Sequence, residues 1–67
     1  MKREILYTVD IYGDENKAGI IDKIVAGKWV LLNDDNTIKM IARTKKEIVS
    51  SFLLNGLVSY CYTKIEN

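Results

Sequence analysis

The sequence predicts a single small α+β domain, and three observations carry that prediction. Residues 4–12 and 57–63 alternate side chains at the two-residue period of a strand. Residues 44–56 show a helical period between a start signal and a stop signal. Short apolar runs bounded by turn residues fill the middle of the chain.

Residues 4–12 form the first expected strand. Ile5, Tyr7, Val9 and Ile11 make one face and Glu4, Leu6, Thr8, Asp10 and Tyr12 the other. The first face is wholly apolar and is expected to meet the core. Gly13, Asp14, Glu15 and Asn16 then break the strand.

Residues 17–25 admit two readings. Ala18, Ile21, Ile24 and Val25 fit one stripe of a helix, with Asp14 as N-cap and Gly27 with Lys28 at the C-terminal end. Gly19 opposes a helix interior by about 1 kcal/mol, and the β-branched pairs favour a strand. Helix is the reading preferred from the sequence, and strand is the alternative.

Residues 29–32 are a short apolar run expected as a buried strand. Asn33, Asp34, Asp35 and Asn36 are turn residues, and residues 37–42 return as the second strand of a hairpin. Thr44 and Glu47 stand at capping-box spacing. Behind them Ile48, Val49, Phe52 and Leu53 form an apolar helical stripe. Asn55 and Gly56 are expected to stop the helix, Gly56 in a left-handed conformation with Leu57 folding back on Phe52. Val58, Tyr60 and Tyr62 then alternate with Ser59, Cys61 and Thr63 in a last strand, and residues 65–67 are expected to fray.

In order this gives β-α-β-β-α-β, the ferredoxin-like split βαβ sandwich with a four-stranded antiparallel sheet. The strands at residues 4–12 and 37–42 would be central. With residues 17–26 as a strand, the alternative is a β-meander followed by one helix and a final strand.

Composition narrows function. At 67 residues the core is small, and a homodimer is a reasonable expectation. Ten basic and nine acidic residues give a net charge of +1, which disfavours a strongly basic nucleic-acid binder and an acidic mimic of DNA. Cys61 is the sole cysteine and histidine is absent, so a cytoplasmic protein without catalytic or metal machinery is expected. No run approaches the length of a membrane span, and Glu4 and Asp10 interrupt any export signal behind Met1, Lys2 and Arg3. Abundant Ile, Lys and Asn suggest an AT-rich genome, as in low-GC bacteria and their phages or mobile elements.

The candidate partner-binding residues are Leu6, Thr8, Lys39 and Ile41 on the expected open sheet face, Tyr60 and Tyr62 on the last strand, and Arg43, Lys45 and Lys46 at the helix start. Tyrosines suit protein interfaces but are also common in strands. The basic group could hold an anion at the helix start, although solvated surface charge is the simpler account. Asp34 and Asp35 lack the ligand spacing of a calcium loop. Cys61 has no neighbouring base to activate it. The segment from Ile5 to Asp10 is similar to the first aromatic motif of RNA-recognition domains, but the second motif has no counterpart in residues 37–43. The expected function is therefore a non-enzymatic protein-binding module, a small phage or mobile-element inhibitor or modulator of a host or defence protein. The alternatives are a small nucleic-acid-binding regulator and a ligand-binding regulatory dimer.

Overall fold

A computed structural model describes residues 2–24 and 26–67; Met1 and Val25, the latter part of the expected helical stripe, lie outside them. The chain is α+β. Strands β1 (Arg3–Asp10), β2 (Glu15–Lys23), β3 (Trp29–Leu32) and β4 (Ile38–Ala42) run as a meander, followed by helix α1 (Lys45–Leu53) and strand β5 (Val58–Glu66). All five strands form one antiparallel sheet in the order β4-β3-β2-β1-β5.

The expected helix at residues 17–25 is a correction: residues 15–23 are β2. Among the described residues there are therefore five strands in one sheet and one helix, matching the β-meander alternative; the ferredoxin-like arrangement is met only in being α+β with an antiparallel sheet. Burial explains the outcome. Ile20 and Ile21 are both buried, 4% and 5% exposed. A strand sends adjacent side chains to opposite faces, so both can be covered. A surface helix covers only one stripe. Gly19 fits the same account. A Cβ there would meet the Leu32 carbonyl oxygen at 2.6 Å and the Leu31 side chain at 3.0 Å, where the β1–β2 register shifts. Glycine lets β3 approach the irregular ladder.

The β1–β2 connection is a tight hairpin. Asp10 Oδ1 accepts from the amides of Tyr12 and Asp14, both at 2.9 Å, so Asp14 serves a turn and not a helix cap. The β3–β4 hairpin forms as expected. Asn36 takes a left-handed φ of 68°, Asn33 and Thr37 pair across the turn at 2.8 Å, and Asp35 Oδ1 accepts from the Thr37 hydroxyl at 2.6 Å. That hydroxyl bond, and after it a second from the Thr37 amide at 3.1 Å, hold the Asp35 carboxyl below the ordinary carboxylate range. In sheet order, however, β4 is an edge and β3 is interior, the reverse of the sequence expectation.

Helix α1 begins as its signals require: the Glu47 amide donates to the Thr44 hydroxyl at 3.2 Å. The reciprocal arm differs, because the Glu47 carboxylate accepts from the Arg43 amide. The stop also differs. Among the glycines, left-handed or otherwise positive φ values occur at 13, 19 and 27 but not at Gly56. Asn55 performs the turn, its side-chain oxygen accepting from the Leu57 amide at 2.9 Å and its carbonyl from the Val58 amide at 3.0 Å. Leu57 stays exposed. The last strand does not fray at Ile65: it pairs with β1 as far as Glu66, opposite Arg3.

The helix covers one face of the sheet. Ile48 meets Leu6, Ala18, Ile21 and Leu31, with Trp29, Met40, Phe52 and Cys61 packed around them. Among the described residues no helix covers the opposite face, yet Ile5, Val9, Ile20 and Val30 are buried there by their cross-strand neighbours.

Candidate functional site

Leu6 and Thr8 are not on an open face. Leu6 is 0% exposed and Thr8 is 9% exposed. Leu6 lies under α1, and Ile5, Tyr7 and Val9 take the open face instead. The alternation in residues 4–12 is genuine, but the face assignment is reversed. With Ile5, Leu6 and Val9 all apolar, β1 suits a strand covered on both sides, and its position between β2 and β5 provides that.

This reversal brings Tyr7 beside the two tyrosines singled out from the sequence. Tyr7 lies opposite Tyr62 in the ladder, with ring centroids 5.3 Å apart and planes 17° from parallel. Tyr60 adjoins Tyr62 at 6.4 Å. Lys64 Nζ lies 5.6 Å from the Tyr7 ring centre, and the Tyr7 hydroxyl donates to Glu66 at 3.0 Å. That bond raises the Tyr7 pKa, since Glu66 favours the protonated phenol. The expected strand alternation placed Tyr7 with the core; a cross-strand partner, invisible in one sequence, was the missing signal.

The basic candidates divide in two. Lys45 Nζ pairs with Glu4 at 2.6 Å and lies 5.7 Å from the Trp29 ring centre. Lys39 Nζ donates to the Ala18 carbonyl at 3.2 Å and reaches over Phe52. Both tie the helix side of the molecule together. Arg43 and Lys46 are exposed at the helix start. The structure thus does not gather the basic residues into one cluster. Ile41 is exposed on edge strand β4, opposite Val30.

A second surface escaped the sequence reading. Leu53 and Leu54 end α1, Leu57 begins the return to β5, and the Leu57 carbonyl accepts from the Ile11 amide at 2.9 Å. Tyr12 follows Ile11 in the hairpin. All five side chains are exposed, Leu54 at 87% and Tyr12 at 78%. Tyr60 sits two ladder positions inward of the Ile11–Leu57 contact, opposite Val9. Exposed apolar side chains, where they adjoin, mark interaction surfaces. The Ile11–Leu57 bond joins the β1–β2 hairpin to the segment after α1, a proximity that no single stretch of the sequence carries.

Burial raises the pKa of the Cys61 thiol, so it is a poor nucleophile at neutral pH. Among the described residues no group of three or more His, Cys, Asp or Glu is placed to hold a metal ion, and no helix is long and apolar enough to cross a membrane. No protein-family model, curated protein or solved structure matches this chain.

Proposed function

We propose that the chain is a non-enzymatic protein-binding module acting in the cytoplasm, of the kind by which a phage or mobile element modulates a host or defence protein. The observation carrying the reading is the apolar end formed by Ile11, Tyr12, Leu53, Leu54 and Leu57, with Tyr60 on its margin. Burying such side chains against a partner stabilises association at roughly 25 cal/mol per Å² of apolar surface, before the ordering costs of binding. The phage or mobile-element source rests on composition alone.

Nucleic-acid binding is less well supported. Base stacking needs a free aromatic face. Tyr62 covers one side of Tyr7 and Lys64 contacts its ring, while Glu15 and Glu66 offset Lys17 and Lys64 on this part of the sheet. The ligand-binding dimer rests on fold analogy alone.

The test is affinity capture of a tagged chain from a lysate of its own cells, beside a Leu54→Glu, Leu57→Ser variant whose fold is checked by circular dichroism. The reading expects a stoichiometric protein retained by the wild type and lost from the variant. No stoichiometric protein, or one held equally by the folded variant, contradicts it.

A further inference from the structure

We propose that the outer edge of β5 pairs antiparallel with the same edge of a second copy, about a two-fold axis through Thr63. This goes beyond the protein-binding reading and uses the β5 edge, which meets the apolar end at Tyr60.

The edge is open and long. β5 spans nine residues, and among the described residues its only ladder partner is β1. Natural edge strands are usually protected by proline, charge, short length or a bulge. Proline is absent, and the charged side chains of β5 are Lys64 and Glu66. A register shift stands at the other end, where Val9 pairs with Tyr60 but Asp10 pairs with Val58, leaving Ser59 as the extra residue. The regular, pairable part is therefore residues 60–66.

That segment matches itself. A two-fold normal to the sheet keeps each face aligned, so it must pass through a residue. At Thr63 it pairs all of 60–66: Thr63 with Thr63, Tyr62 with Lys64, Cys61 with Ile65, and Tyr60 with Glu66 of the second copy. Directly opposed side chains in antiparallel strands interact, and Thr–Thr pairs are favourable. Two of the other pairings, Tyr62 with Lys64 and Tyr60 with Glu66, bring together the same residue types that meet inside one chain, where Lys64 lies over Tyr7 and the Tyr7 hydroxyl donates to Glu66. An axis at Lys64 would oppose two ammonium groups. One at Cys61 would leave Ile65 and Glu66 opposite residues outside the strand, and one at Tyr62 would run the ladder through the Ser59 bulge.

The test combines mass and register. Light scattering should give twice the 7.7 kDa chain mass at high micromolar concentration. Tyr62→Lys sets lysines against Lys64 of the second copy and should give a monomer, whereas Tyr62→Glu, which loses the same Tyr7 stacking, should keep the dimer. In a Cys61→Ser background, Thr63→Cys should oxidise to a covalent dimer, while the wild-type chain, with Cys61 opposite Ile65, should not. A monomeric wild type, a dimer unaffected by Tyr62→Lys, or a wild-type Cys61–Cys61 disulfide overturns the proposal. None of these outcomes bears on capture through Leu54 and Leu57.

Discussion

The two faces of the sheet are both apolar at their centres, but they are buried by different means. Under α1, Leu6, Leu31 and Ile48 are sealed by a second layer, each 0% exposed. On the other face, Ile5, Val9, Ile20 and Val30 are covered by side chains of the sheet itself, while Ile41 and Tyr60 at its margins stay exposed. The covered face fixes the fold. The uncovered face, with the strand edge and apolar end that adjoin it, is left with surface to offer a partner.

The largest expected effect breaks this comparison directly. Ile48→Ala removes the helix side of the core and should cost about 2–5 kcal/mol in denaturant unfolding. Ile41→Ala on the exposed margin should stay within about 0.5 kcal/mol. Equal losses would mean that the faces are not distinct. Next, Gly19→Ala forces a methyl group towards the Leu32 carbonyl and should cost about 1–3 kcal/mol, measured the same way. A neutral result would favour the helical reading of residues 17–25. Tyr7→Leu keeps apolar bulk but removes the Tyr62 stack, for a loss of about 0.5–1.5 kcal/mol.

The smallest effect is a pH dependence with opposite signs at two sites. Asp35 has a lowered folded pKa, so its contribution is present above the ordinary carboxylate value and is lost as pH falls through the folded value. Tyr7 has a raised folded pKa, so its contribution is present below the ordinary phenol value and is lost as pH rises through the folded one. Thermal unfolding of Asp35→Asn and Tyr7→Phe against the wild type should show the acid and alkaline differences separately.

Local signals in the sequence were legible where they are self-contained. Thr44 caps the helix, Asn33 to Thr37 turns the hairpin, and residues 29–32 form a strand, because each depends on chemistry within a few residues. Residues 17–23 misled because Ile20, Ile21 and Gly19 take their meaning from β1 and β3 on either side. Leu6 and Thr8 misled for the same reason: which face of β1 the helix covers is a tertiary matter. Of the candidate site, Tyr60 and Tyr62 stand out in the alternation of the last strand, whereas Tyr7 beside them and the meeting of Ile11 with Leu57 depend on the folded chain.

Amide hydrogen exchange along β5 distinguishes an open edge from a paired one, because a strand paired on one side protects alternate amides and a strand paired on both sides protects them all. Slow exchange is expected at every amide of residues 60–66 at high protein concentration, with alternate amides released on dilution. Fast exchange at alternate residues at every concentration would contradict a paired edge.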